Sequence, residues 1–143
     1  MKRSRAREAA LQLLYQHDFN PRIDRETIEH FARSRLRDPA AKTFCLSLYD
    51  GVLAKQNVID ARLAQATENW RLPRMAAVDR NALRLGAYEL GYTPETPARV
   101  VLDEAIELAR RYGSKESPAF VNGILDKLLA PSQTPAEPPE TVK

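Results

Sequence analysis

Cationic and aromatic side chains recur at helical spacing in two parts of the sequence. Arg3, Arg7 and Tyr15 fall on one side of a predicted N-terminal helix, and Arg80, Arg84 and a tyrosine four residues later repeat the arrangement. Phosphates require positive charge and unstacked bases require a flat surface, so this pattern suits single-stranded nucleic acid. Two alternatives remain open: the basic N-terminus is simply solvated, and the later arginines pair with nearby carboxylates.

Residues that could support catalysis do not form a known constellation. His17 and His30 fall on different predicted helices, and each fits a helix surface or core edge. The single cysteine, Cys45, allows neither a disulfide nor a cysteine metal cluster, and we expect it to be a buried structural thiol. Phosphate-loop, dinucleotide, zinc-protease and serine-hydrolase motifs are absent from the sequence. We therefore expect a non-enzymatic protein with no metal and no cofactor.

Composition is that of an ordinary soluble globular protein. The 143 residues are 43% apolar and 29% charged, with a net charge of +3. No apolar run approaches the roughly 20 residues needed to span a bilayer. The apolar stretch near the N-terminus is interrupted by polar residues and has no small-residue cleavage site after it, so it does not resemble a signal peptide. We expect a cytoplasmic protein that does not enter a membrane.

Apolar residues at intervals of three and four predict an all-α fold of about seven helices in one domain over residues 1–130. Asp24 and the pair Asp38-Pro39 are predicted to begin the second and third helices. The fifth predicted helix, 76–92, is apolar on two faces and should lie at the centre of the core. The sixth should begin with acidic residues and end at a left-handed Gly113. Residues 131–143 contain four prolines and few apolar residues, which predicts a disordered tail.

Residues 120–125 are locally ambiguous. Asn122-Gly123 between apolar residues is a strong hairpin signal. The flanks favour a helix, because Ser117 can act as its cap, Pro118 suits its first turn, and apolar residues follow at i, i+3, i+4 and i+7. We predict a helix that contains Gly123 at a cost of about 1 kcal/mol relative to alanine. The glycine is expected to let another backbone approach closely, with a tolerated defect as the alternative.

Three segments, Ser4–Gln16, Val78–Leu90 and Asp103–Asp126, together resemble the NusB family of transcription antitermination factors. The resemblance runs from about residue 3 to residue 129, although residues 19–70 match only in helical character. It implies two small helical bundles packed together. It also implies binding of the boxA element of nascent ribosomal RNA with the small-subunit ribosomal protein NusE, so that RNA polymerase reads through terminators.

The resemblance also implies a set of RNA-binding positions. In this sequence they are occupied by Lys2, Arg3, Arg5, Arg7, Tyr15, Asp79, Arg80, Arg84, Glu116 and Phe120. Phe120 could stack on a base or pack in the core, and the two acidic residues could accept from base amino groups or cap helices. Gly86 replaces a common family alanine, which is expected to loosen the central helix. Asp103 replaces a frequent asparagine at the expected start of the sixth helix.

Two other functions are compatible with the pattern. A protein-only helical adaptor, or a homodimer, would leave the basic N-terminus incidental. An accessory domain of an RNA-modifying enzyme is the second alternative, since similar helical domains occur in certain ribosomal RNA cytosine methyltransferases. The leading hypothesis remains an RNA-binding antitermination factor that works by surface recognition.

Overall fold

The computed structural model describes residues 3–67 and 72–129, and within these ranges it contains helices and no strand. The elements are α1 (Arg3–Phe19), α2 (Arg25–Arg35), α3 (Pro39–Ala54), α4 (Gln56–Ala66), a 3₁₀ turn (Leu72–Arg74), α5 (Ala77–Tyr92), α6 (Ala98–Tyr112) and α7 (Ser117–Leu129). The all-α prediction with seven helices is confirmed. The predicted tail over 131–143 and the connector around Trp70 lie outside the described residues.

Two predicted helix starts are confirmed by their caps. The Asp24 carboxylate accepts a hydrogen bond from the Thr27 backbone N–H at 2.8 Å. The Asp38 carboxylate accepts one from the Ala40 N–H at 2.9 Å, and Pro39 is the first residue of α3. Each cap satisfies a backbone donor that the first turn of a helix leaves unpaired.

Helix α5 joins two helical bundles. The first consists of α1, α2 and α3, and the second of α4, α6 and α7 packed around α5. Helix α5 also contacts α1 and α3, so both of its apolar faces are covered. The buried residues of its middle are Asn81, Ala82, Leu83, Arg84, Leu85, Gly86 and Ala87. The two-bundle architecture and the central position of the fifth helix are therefore as predicted.

The two helical glycines have roles opposite to those expected. Gly123 is exposed, and a Cβ built on it would have no described atom within 4 Å, so the predicted close backbone approach is wrong. A Cβ on the buried Gly86 would lie 2.6 Å from Leu125 Cδ1 and 3.5 Å from Ala105 Cβ. Gly86 therefore does not loosen the central helix; it lets α5 pack closely against α7 and α6.

The link between α6 and α7 also differs from the prediction. Gly113 has φ −101° and ψ −162°, which is extended rather than left-handed. A Cβ at this position would lie 2.5 Å from Ser117 Oγ, so the glycine is required by close contact and not by backbone conformation. Ser117 is the first residue of α7, and its buried hydroxyl accepts from the Ser114 N–H at 2.9 Å.

The start of α6 was predicted too late. The helix begins at Ala98, directly after Pro97, and its first turn carries no acidic residue. Asp103 lies in the second turn, where it is exposed and 3.7 Å from the Arg99 guanidinium. The predicted basic end is confirmed, since Arg110 and Arg111 occupy the last turn.

Candidate functional site

One side of α1 presents a strip of exposed or half-buried polar and aromatic side chains, which we call the α1 strip: Arg5, Glu8, Gln12, Tyr15 and Phe19. These residues are three or four positions apart, so the helix places them in one row. At a rise of 1.5 Å per residue, Arg5 and Phe19 are about 21 Å apart. The strip has a positive charge near one end and aromatic rings at the other.

The aromatic end of the α1 strip is open to solvent. Tyr15 is 39% exposed and Phe19 is 73% exposed, and their ring centroids lie 5.0 Å apart in an edge-on arrangement. Tyr15 is a predicted site residue. Phe19 is a candidate that sequence reasoning missed, although its position four residues after Tyr15 is the signal that would have found it.

Arg7 is buried, in contrast to its predicted place on an RNA surface. Its Nε and Nη2 atoms donate to the two carboxylate oxygens of Glu89 at 2.7 and 2.8 Å, and Nη1 lies 3.7 Å from Glu104. Burial alone would lower the pKa of Arg7, but the hydrogen bond and charge of Glu89, together with Glu104, outweigh it and raise the pKa. Arg7 is thus a permanent cation whose donors are used inside the protein.

The neighbouring arginines of α1 remain accessible. The Arg3 guanidinium lies over the Phe44 ring, 4.1 Å from its centroid, and its side chain is exposed. Arg5 is exposed and makes no hydrogen bond or ion pair with residues 3–67 or 72–129. Lys2 lies outside the described residues. Arg3 and Arg5 therefore provide charge at the surface, while Arg7 does not.

The two arginines of α5 pair with carboxylates, which was the alternative to RNA contact. Arg84 is 7% exposed and donates through Nε and Nη2 to Asp60 at 2.9 and 3.0 Å. Arg80 Nη2 donates to Asp18 at 2.9 Å, and its Nη1 donates to two backbone carbonyls. Asp18 also accepts from Asn81 at 2.8 Å. These contacts join α5 to the end of α1 and to α4.

The acidic candidates differ in their surroundings. Asp79, in the first turn of α5, has its Oδ1 atom buried and, among the described residues, without a hydrogen-bond partner. A buried carboxylate oxygen without a donor is unfavourable. Glu116 is exposed, and its carboxylate lies 3.4 Å from the Ser114 hydroxyl. Phe120 is half-buried and packs against the core.

The structure brings six of the predicted residues into three pairs. Arg3 and Arg7 meet at the Phe44 ring, and Arg80 and Arg84 meet at Asp18, where the charged atoms are 2.9 and 3.6 Å apart. Phe120 belongs to α7, which packs on α4, α5 and α6, and Glu116 lies in the turn directly before that helix. The predicted set therefore surrounds α5 instead of forming one continuous row.

The described residues contain neither a candidate metal site nor a helix that could span a membrane. Within residues 3–67 and 72–129, no group of three histidine, cysteine or acidic side chains is arranged to hold a metal ion. Cys45 is buried as predicted, and burial, with a smaller contribution from the Asp50 charge, raises the pKa of its thiol to about 12. None of the described helices is both long and apolar enough to span a membrane.

Comparison with known proteins identifies close relatives. The NusB family profile matches residues 4–130. The transcription antitermination protein NusB of Sorangium cellulosum is 47% identical over 126 residues, which are 88% of this chain and 90% of that protein. The structure of T. maritima NusB matches with a TM-score of 0.80 and 38% identity over 90% of both chains. A crystal structure of the antitermination factors NusB and NusE with dsRNA matches with a TM-score of 0.80 and 25% identity, covering 88% of this chain and 94% of that one.

Proposed function

The chain belongs to the NusB family of transcription antitermination proteins, and we propose that it binds a boxA-like single-stranded RNA together with NusE. The observation that carries the proposal is the α1 strip, where an exposed, unpaired Arg5 shares one helix side with the exposed rings of Tyr15 and Phe19. Such a row offers charge to phosphates and flat surfaces to unstacked bases.

The predicted RNA-binding residues take different roles in this proposal. The exposed Arg3 and Arg5, with Lys2 before them, bind phosphates, and Tyr15 stacks on a base. Phe120 adds a second, half-buried ring.

The remaining predicted residues act through hydrogen bonds or through positioning. Asp79 and Glu116 accept hydrogen bonds from base amino groups. Arg80 is 15% exposed, so it offers limited contact beside Asp18. Arg7 and Arg84 position α1 and α5 through their carboxylate partners.

The mechanism requires no covalent step. The protein acts by holding RNA and the ribosomal protein together, and this complex helps RNA polymerase read through terminators while ribosomal RNA is made. The related crystal structure of NusB and NusE with dsRNA supports NusE as the protein partner. This antitermination function is non-enzymatic and takes place in the cytoplasm.

A two-part binding experiment tests the proposal. Purified protein is titrated against a fluorescent boxA-like RNA and against a scrambled RNA of equal length, each with and without NusE. We expect tighter binding to the boxA-like RNA and a further gain when NusE is present. Binding of NusE with no affinity for either RNA would contradict the proposal and support the protein-only adaptor. Methyl transfer to RNA by the purified chain would contradict its non-enzymatic part.

A further inference from the structure

A polar cleft lies where α1, α2 and α6 meet. Its lining residues are Arg5, Glu8, Ala9, Gln12, Arg35 and Tyr112. Three of them, Arg5, Glu8 and Gln12, belong to the α1 strip. The cleft therefore lies at the end of the α1 strip that is opposite the aromatic rings. A polymer bound along α1 from those rings reaches the cleft.

The charge inside the cleft is positive. Glu8 is the one acidic residue that lines it within the described chain, and its carboxylate is already paired with Arg111. Arg5 and Arg35 each have no carboxylate partner among residues 3–67 and 72–129. The two lining guanidinium groups therefore remain uncompensated, which favours an anionic occupant.

Arg35 is held in place by its neighbours. Its Nη1 atom donates to Gln12 Oε1 at 2.7 Å, and its guanidinium lies over the Phe31 ring, 4.5 Å from the centroid. The hydrogen bond occupies one of five guanidinium donors and leaves the others free for a ligand. A guanidinium that is already oriented loses less side-chain freedom when it binds a phosphate.

Tyr112 supplies a neutral hydroxyl to the same cleft. Burial raises the pKa of its phenol, and the charge of Glu8 and the hydrogen bond that the phenol donates to the Glu8 carboxylate raise it further. A phenol has one proton to donate, and in Tyr112 that proton is used in the hydrogen bond to Glu8. The donors that remain for an anionic ligand in the cleft are therefore those of Arg5 and Arg35.

We propose that this cleft binds a backbone phosphate of the RNA, with Arg35 and Arg5 as its ligands; the inference rests on the proposed RNA-binding function. The RNA strand runs along the α1 strip, so that one phosphate enters the cleft while bases stack at Tyr15 and Phe19. The distance of about 21 Å between Arg5 and Phe19 sets the length of RNA that must be bound in an extended form. Arg35 becomes an RNA-binding residue outside the predicted set.

Arg35→Gln tests the proposal, with Arg33→Gln as its matched control. Both residues are exposed on α2 and both changes remove one positive charge, but Arg33 does not line the cleft. Affinity for the boxA-like RNA is measured between low and high salt, after thermal unfolding has shown that the variants are folded. We expect Arg35→Gln to weaken RNA binding roughly tenfold at low salt, because the variant loses one charged hydrogen bond to a phosphate. Its slope of log affinity against log salt should become shallower by about 0.7.

Arg35→Lys keeps the charge and should retain the wild-type slope. Equal affinities and slopes for Arg35→Gln and Arg33→Gln would overturn the inference while leaving the RNA-binding function in place. Weaker binding of NusE with unchanged RNA binding would also overturn it, since the cleft would then hold a carboxylate of the protein partner. If the wild-type protein binds no RNA, the proposed function and this inference both fail.

Discussion

Arg7 and Glu89 form a buried, bidentate ion pair that joins α1 to α5 across 82 residues of sequence, with donor–acceptor distances of 2.7 and 2.8 Å. Glu104 of α6 lies 3.7 Å from the same guanidinium and also accepts from the Ser4 hydroxyl at 2.8 Å. Three helices therefore meet around one charge. Because α1 carries the exposed strip on another side, this pair fixes the direction in which the strip faces.

Removal of one partner should destabilise the protein strongly. Arg7→Ala leaves the Glu89 carboxylate buried without its cation, and breaking a buried pair in this way costs about 3–5 kcal/mol. The free energy of unfolding in urea measures the effect. Arg5→Ala is the control: it lies on the same helix but is exposed, and its expected change is within about 0.5 kcal/mol. Equal, small changes in both variants would show that the pair does not hold the helices together.

Two glycine substitutions should differ in their effects on stability. Gly123→Ala gains about 1 kcal/mol of helix propensity, because a Cβ there meets no described atom within 4 Å. Gly86→Ala has the same gain but must displace the buried Leu125 Cδ1, and overpacking of this kind costs about 1–3 kcal/mol. The midpoint temperature of thermal unfolding should therefore be higher for Gly123→Ala than for wild type. That of Gly86→Ala should be lower than that of Gly123→Ala. Similar gains in both would mean that α7 moves away from α5 without cost.

Helix positions were predictable because their signals are local. The apolar spacing of α5 predicted 76–92, and the observed helix is Ala77–Tyr92. The caps at Asp24 and Asp38 depend on a side chain and a backbone N–H two or three residues away. Such short-range geometry is encoded in the order of neighbouring residues, so the sequence was sufficient for it.

Long-range pairing was not predictable in the same way. The partner of Arg7 is 82 residues distant and that of Arg84 is 24 residues distant, so spacing along one helix could show the cations but not their carboxylates. The same limit applies to Gly86 and Gly123, because only the packing of α5 on α7 decides which of them is crowded. Tyr15 was correctly placed at the surface, whereas the candidate Phe19 was overlooked although it follows Tyr15 by four residues. The candidate Arg35 was not predictable, because its neighbours in the cleft come from α1 and α6, which are distant in sequence.

Alkaline pH should reduce stability through Cys45. Burial, followed by the Asp50 charge, raises the pKa of the thiol from 9.0 to about 12, so the folded state keeps a proton that the unfolded state loses. The stability that the protonated thiol contributes is fully present below pH 9 and is lost as the pH rises through 12. At pH 10.5 the free energy of unfolding is lower by about 2 kcal/mol. Urea unfolding of Cys45→Ala should depend less steeply on pH above 9 than that of wild type. Parallel pH dependences would show that the thiol does not contribute.

Salt should weaken RNA binding in proportion to the phosphates contacted. If Lys2, Arg3, Arg5 and Arg35 each bind one phosphate, log affinity should fall with log salt at a slope of about −3. The double variant Arg3→Gln/Arg5→Gln should reduce the slope by about 1.4. Arg22→Gln/Arg99→Gln removes the same charge at two other exposed positions and should leave the slope unchanged. A flat response in wild type would remove the basic start of α1 from the mechanism.

The exposed rings of α1 should contribute directly to RNA affinity. Tyr15→Ala and Phe19→Ala should each weaken binding by roughly 1–3 kcal/mol if each ring stacks on a base, and Phe120→Ala should do the same if its exposed part reaches a base. Fluorescence anisotropy with the boxA-like RNA measures the loss. Tyr92→Ala is the matched control, since Tyr92 is also 39% exposed and stacks on a neighbour, Tyr88, at 5.2 Å.

The contact between Tyr15 and Phe19 adds a further expectation. Their ring centroids are 5.0 Å apart, so each ring orients the other, and the double variant should lose less affinity than the sum of the single losses. Tyr92→Ala should bind RNA as wild type does, because Tyr92 lies about 18 Å from Arg80 along the axis of α5. Unchanged affinity in the Tyr15, Phe19 and Phe120 variants would contradict base stacking and leave charge as the basis of recognition. A comparable loss in Tyr92→Ala would show that the effect is not specific to the α1 strip.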